Sequence, residues 1–200
     1  MAELKVFNKW SLENVSINDL GLKNYISLKP MIVPKSFGRH AKKQFYKSQI
    51  NIVERLMNHL FIPGHRGKKH LLTSGHTVGK TSKVWDITKK TFEIIEKRTK
   101  KNPIEVLVRA IENAALREEI TSFQVGGIIV RKAVITAPQR RIDIAIRLIT
   151  QGAYQKAFDK PKNMSECLAE EIIAAYNNDS QNSHAIKEKE RKEREALGSR

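Results

Sequence analysis

Apolar residues recur along this chain at two different spacings, and the switch between them sets the expected architecture. Ile50, Val53, Leu56, Met57 and Leu60 form one stripe of an amphipathic helix, which Pro63-Gly64 stops. A second helical face runs through Val84, Trp85, Ile87, Thr88, Thr91, Phe92 and Ile95, within a helix from Ser82 to Lys100. Its Glu93/Lys97 and Glu96/Lys100 pairs stand in the favourable i,i+4 order. Asn102-Pro103-Ile104-Glu105 then supplies an N-cap, a proline at the first helical position and a glutamate in the first turn. Ile104, Leu107, Val108, Ile111 and Ala115 carry that helix's stripe. Beyond it the period shortens. Ile120 to Phe123 and the β-branched run from Ile128 to Thr136 flank Gly126-Gly127. That combination predicts a hairpin, because glycine accepts the positive φ values of a tight turn.

Pro138 opens the next helix, which reaches to about Phe158 with Ile142, Ala145, Ile146, Ile149 and Ala153 facing inward. After a break at Lys160-Pro161-Lys162, Asn163-Met164-Ser165-Glu166 starts another helix through Tyr176. The pattern predicts a mainly α fold: a bundle of about six helices with a protruding two-stranded β-hairpin arm at about 119–136. An isolated hairpin is marginal in water, so the arm leans on the domain or on a partner. Residues 1–34 show no convincing period and close on Pro30 and Pro34, which reads as an ordered extension lying on a domain of residues 35–178. The stretch 179–200 alternates charge from Lys187 to Glu195, as a solvated helix or tail does when it folds on a partner or stays mobile.

Charge turns this scaffold toward polyanions. The 200 residues hold 37 Lys+Arg against 21 Asp+Glu, a net charge of +16. Residues 35–101 alone carry 17 of those cations and 4 of the acids, or +13. Self-repulsion of that size is normally offset by a nucleic acid. From Lys35 to Lys47, cations interleave with Phe37, Phe45 and Tyr46, which suits phosphate contact with aromatics packed below or stacked on bases. Arg140 and Arg141 follow Pro138 at a helix start, where free backbone N–H groups already favour an anion. Arg131 and Lys132 are strand neighbours and face opposite ways.

Other chemistry finds little support. Gly75 to Thr81 approaches a phosphate-binding loop, but three residues separate its glycines where four are needed, and no acidic strand end offers a magnesium ligand. His65, His70 and His76 have no nearby cysteine and no zinc spacing. Glu118 and Glu119, as adjacent strand residues, point to opposite faces and make no acid/base pair. Cys167 is the only cysteine, which rules out an internal disulfide, and its apolar surroundings suit a buried inert thiol. No run reaches the roughly 20 apolar residues that span a bilayer, and the N-terminus lacks a secretory core. The expectation is a cytoplasmic, non-catalytic nucleic-acid-binding protein without cofactor, metal or small-molecule substrate. An architectural DNA-binding protein and, more weakly, a nucleotide hydrolase stand as alternatives.

The passage Val125-Gly126-Gly127 through Pro138-Gln139-Arg140-Arg141 resembles the hairpin-to-helix region of the small-subunit ribosomal protein seven family. Gly38 to Lys43, Ile52 to Leu56, Gly67 to His70 and Lys101 to Ala114 resemble its archaeal and eukaryotic branch, as do the N-terminal extension and the ending from Ala185. The resemblance covers almost the whole chain. It implies a helical bundle with a β-arm that binds the 3′ major domain of small-subunit ribosomal RNA. It also implies a place in the head of the subunit beside neighbouring ribosomal proteins, near exit-site tRNA and mRNA. Carried over by position, the rRNA contacts are Lys35, Arg39, His40, Lys42, Lys43, Lys68, Lys69, Lys80, Lys83, Arg131, Lys132, Arg140 and Arg141. The tip, Phe123, Gln124, Val125, Gly126, Gly127 and Ile128, faces the exit site. Ser122, Phe123 and Gln124 are uncharged where that family often carries arginines, so either the tip makes no contact with exit-site RNA or its contact works by shape and stacking instead of charge.

Overall fold

The computed structural model describes residues 4–64 and 79–200. Among these residues six helices and one hairpin follow in order: α1 (Ile52–Leu60), α2 (Thr81–Thr99), α3 (Pro103–Ala114), β1 (Glu118–Val125), β2 (Ile128–Ile135), α4 (Pro138–Ala157), α5 (Met164–Tyr176) and α6 (His184–Leu197). Two short 3-10 turns, Arg39–Lys42 and Tyr46–Gln49, precede α1. This is the mainly α bundle with a β-hairpin arm that the periodicity predicts.

Local chemistry accounts for where the helices begin. The Asn51 side chain accepts from the Val53 N–H at 2.9 Å, and the Asn102 side chain from the Ile104 N–H at 3.0 Å. Each satisfies one of the otherwise orphaned donors of a first turn. Pro103 and Pro138 occupy first-turn positions, where the missing N–H costs nothing. Asn163 stands at the N-cap of α5 without a side-chain bond, and its backbone carbonyl accepts from the amides of Glu166 and Cys167 instead.

Helix α5 lies against α2, α3 and α4, so it is apolar on several sides. Leu107 and Ile111 of α3, Ile142, Ile146 and Ile149 of α4, and Leu168 and Ile172 of α5 are fully buried between them. Each such side chain contributes roughly 1.5–3 kcal/mol relative to exposure. Cys167 is buried, and desolvation raises its thiol above the ordinary range. The N-terminal segment joins the same core. Val6, Phe7, Trp10, Leu12, Leu22 and Ile26 are buried in it, although no period runs through them. Phe7 meets Trp85 edge-on at 4.4 Å and Trp10 meets Phe92 at 5.5 Å, an arrangement aromatic rings prefer over face-to-face stacking. Positive φ at Phe7 and Asn8 turns the chain so that both rings enter.

Helix α6 is not all solvated: Ala185, Ile186 and Ala196 are buried along one edge. Its start is set by Glu171, whose fully buried carboxylate accepts from Lys156 Nζ at 2.6 Å, Ser183 Oγ at 2.9 Å and the Ala185 N–H at 3.1 Å. Further along, the Glu193 side chain accepts from the Arg117 N–H at 2.9 Å. Arg200 pairs with Glu118, and the Ser199 carbonyl accepts from the Ala133 N–H on the outer edge of β2. The C-terminal helix therefore supports the root of the arm.

The arm itself pairs Glu118 with Ile135 through Val125 with Ile128, leaving Gly126 and Gly127 as a two-residue turn at φ 55° and 88°. Two successive positive φ values match the twist of the flanking strands. Solvent cover ends at Ile120 on β1, and every residue from Thr121 to Lys132 is exposed. No described helix is long and apolar enough to cross a membrane.

Candidate nucleic-acid interface

Two acidic residues of the framework seat the basic segment ahead of α1. Glu54, itself buried, accepts from the Ser36 N–H at 2.8 Å and from Ser36 Oγ at 2.5 Å. Asp143 of α4 accepts from Arg55 Nη2 at 2.8 Å and also pairs with Lys47. Burial pushes the Asp143 carboxyl up, but the hydrogen bonds from Lys47 and Arg55 outweigh it and hold the group below its ordinary range. Asp143 is thus fully charged at neutral pH. His59, on the same side of α1, is held neutral instead: burial lowers it to about 4, against the pull of Asp143.

What those anchors leave outside is cationic. Lys35, Arg39, Lys42 and Lys43 are exposed, and none has an acidic partner among the described residues. His40 is half-buried, with Nδ1 3.2 Å from Ser36 Oγ. Phe37 is 78% exposed and Phe45 is 64% exposed. Both adopt left-handed backbone, at φ 53° and 66°, a conformation that costs a bulky residue about 1–2 kcal/mol. Lys80 stands at the N-cap position of α2 without a side-chain capping bond, and Lys83 lies exposed in the first turn. Lys68 and Lys69 fall outside the described residues, as do the loop histidines and the glycine-rich stretch up to Val78.

Midway along the arm, Arg131 and Lys132 pair across from Ser122 and Thr121 and so project from opposite faces, both exposed. The two arginines of the α4 start separate sharply. Arg140 makes a two-pronged bond to Glu119, 2.5 Å from Nε and 2.8 Å from Nη2, with its side chain still 58% exposed. That bond raises its already high pKa. Arg141 turns inward: Nε donates to the Leu116 carbonyl at 2.9 Å and Nη2 to Asp19 at 2.8 Å. Asp19 is pushed up by desolvation, yet the Arg141 and Gly21 bonds bring it below its ordinary value. Arg140 is available to a phosphate in exchange for Glu119, whereas Arg141 ties the N-terminal segment to the arm root. Arg141→Ala is expected to cost about 1–3 kcal/mol by orphaning a carbonyl and a carboxylate, and Arg140→Ala under about 1 kcal/mol. Urea unfolding compares them, and equal losses would contradict these assignments.

The tip carries no charge from Ile120 to Val130, and Val125, Ile128 and Ile129 are more than half exposed. By register, Phe123, Val130, Val125 and Ile128 share one face. Among the described residues no group of three His, Cys, Asp or Glu is placed to hold a metal.

One contributor escaped the linear reading. Arg147 lies seven residues after Arg140 on α4, so both line a groove of about 1000 Å³ between α1, α4 and α6, with Ile144 and Leu148 in its floor. Arg147 is exposed and unpaired among the described residues, but in the sequence it sits inside an apolar stripe. The seven-residue spacing from Arg140 was the available signal.

The chain is similar to known proteins over most of its length. The family described as ribosomal protein S7p/S5e matches residues 22–200. Small ribosomal subunit protein uS7 of Nanoarchaeum equitans is 52% identical over 187 residues, covering 94% of each chain. The protein of the same name from Methanosphaera stadtmanae is 44% identical over 192 residues, 96% of each chain. With a family match over most of its length and relatives this similar from end to end, the chain belongs to the ribosomal protein S7p/S5e family.

Proposed function

We propose that the protein is a structural component of the small ribosomal subunit, and that it binds the 3′ major domain of the small-subunit rRNA and helps organise the head. One observation carries the reading. The framework carboxylates Glu54, Asp143, Glu119 and Asp19 are each matched to a neighbouring group, while Lys35, Arg39, Lys42, Lys43, Arg131 and Lys132 stay outward without acidic partners among the described residues. Cations held by a stiff scaffold and left unneutralised suit a fixed polyanion, and such contacts position the protein without reading sequence. Neighbouring ribosomal proteins cover other faces, and the cytoplasmic ribosome is the site of action. The uncharged tip stands near exit-site tRNA and mRNA and meets them through shape and apolar contact.

Competition is the test. A labelled rRNA fragment of the 3′ major domain is bound by the full chain and challenged with unlabelled duplex DNA. Retention of the fragment against equimolar DNA is expected. Displacement at equal concentration favours an architectural DNA-binding protein instead.

A further inference from the structure

The basic segment ahead of α1 presents aromatic rings where a soluble surface gains nothing from them. We propose that Phe37 and Phe45 are stacking platforms for unpaired RNA bases, with Lys35, Arg39, Lys42 and Lys43 holding the flanking phosphates. The inference rests on the ribosomal RNA reading and adds a class of ligand to it: looped-out or single-stranded nucleotides in place of continuous duplex.

Three independent features converge here. First, neither ring is packed away: Phe37 and Phe45 are among the more exposed large apolar side chains of the molecule. Second, both occupy left-handed backbone that favours glycine, so the fold keeps a strained residue at each position without burying its side chain. Phe45 forms the N-cap of the turn Tyr46–Gln49, and Phe37 precedes the Gly38 cap of Arg39–Lys42. These turns pack against each other, and the Ser36–Glu54 and Lys47–Asp143 bonds fasten the unit to the bundle. Third, the segment that carries the rings has no acid of its own between Lys35 and Val53, and the two framework carboxylates that reach it are taken up by Ser36, Lys47 and Arg55. Lys35 Nζ lies 4.9 Å from the Phe37 centroid, so one side of that ring carries a cation while most of its surface stays open.

The occupant follows from these features together. An apolar protein surface large enough to cover the rings would also desolvate the adjacent cations without compensation. A polyanion satisfies them. Within a duplex the base faces are already stacked, so only unpaired bases offer a surface to an exposed ring.

The test compares the full-length chain with Phe37→Leu/Phe45→Leu, which keeps apolarity and removes the π-face, and with Phe37→Tyr/Phe45→Tyr, which restores it. Probes are an oligoadenylate of about twelve nucleotides, within the span such platforms cover, an RNA duplex of similar length, and the 3′ major domain fragment. The leucine variant is expected to lose roughly five- to 150-fold in oligoadenylate affinity per ring. Its duplex affinity and the salt dependence of its binding should match wild type, because no phosphate contact is removed, and the tyrosine variant should bind like wild type. Undiminished oligoadenylate binding by the leucine variant overturns the proposal, and so does an equal loss on duplex. Failure of wild type to bind oligoadenylate overturns it as well. Loss of the domain fragment alone, with the oligoadenylate pattern intact, counts against the ribosomal reading and leaves the platforms standing. Phe37→Gly and Phe45→Gly supply the structural control: an unchanged or raised melting temperature is expected, and a drop of several degrees would make the rings packing elements and end the argument.

Discussion

Asp143→Ala is expected to lower the unfolding free energy by about 3–5 kcal/mol, the typical cost of leaving one member of a buried ion pair alone. The Arg55 side chain is only 3% exposed, and its guanidinium reaches both Asp143 at 2.8 Å and the Tyr25 carbonyl at 2.9 Å. Without Asp143 that charge stays in the core with one neutral acceptor. For a chain of this length the loss corresponds to roughly 6–20 °C in melting temperature. Lys47 is the internal control, because its side chain is 44% exposed. Lys47→Met should cost no more than about 1 kcal/mol, as surface pairs do. A calorimetric melt of Asp143→Ala within a degree or two of wild type would refute the buried-pair account.

The same cluster gives wild type a defined acid response. His59 is lowered from 6.5 to about 4 by burial, so between those pH values the unfolded chain binds a proton that the folded chain refuses. Stability therefore falls as pH drops from 6.5 toward about 4, by on the order of 3 kcal/mol for that shift. Asp143, depressed in the fold, adds its own loss as pH falls below the ordinary carboxyl value of 3.8. His59→Gln should flatten the upper part of that slope and leave the lower part in place.

How much of this is legible in the sequence depends on how local each cause is. The Asn102-Pro103 start, the Pro138 start and the Gly126-Gly127 turn act within a few residues, and the structure places all three where the residues say. The anchoring of residues 4–34 is different. Phe7 and Trp10 reach the core through turns at positive φ, and their partners Trp85 and Phe92 lie more than 70 positions away, so no periodicity announces them. The contrast between Arg140 and Arg141 is also non-local. Adjacent in the chain and identical in type, they diverge because Asp19 and the Leu116 carbonyl meet one and Glu119 the other. Sequence shows where cations accumulate, whereas partners from distant segments decide which of them remain available.

That distinction sets the size of the salt response. Six of the exposed cations that lack acidic partners among the described residues, Lys35, Arg39, Lys42, Lys43, Arg131 and Lys132, give a slope of log K against log salt near −5 if each neutralises a phosphate, by analogy with duplex values. Affinity for the 3′ major domain fragment is then expected to fall about a thousandfold between 50 and 200 mM salt. Lys42→Gln/Lys43→Gln should make the slope shallower by about 2 and weaken binding alike on unrelated RNA sequences. Arg140→Gln should change it by less than a full contact, because freeing Arg140 from Glu119 in the bound state already costs part of the gain. Arg141→Gln should change stability and leave the slope alone, since its charge is committed to Asp19. Val125→Ser/Ile128→Ser removes apolar surface and no charge, so any weakening there should be independent of salt. Filter binding across a salt series separates these classes. A slope shallower than about −2 for wild type would mean that the outward cations are solvated in the complex, and phosphate neutralisation would lose its place as the main source of affinity.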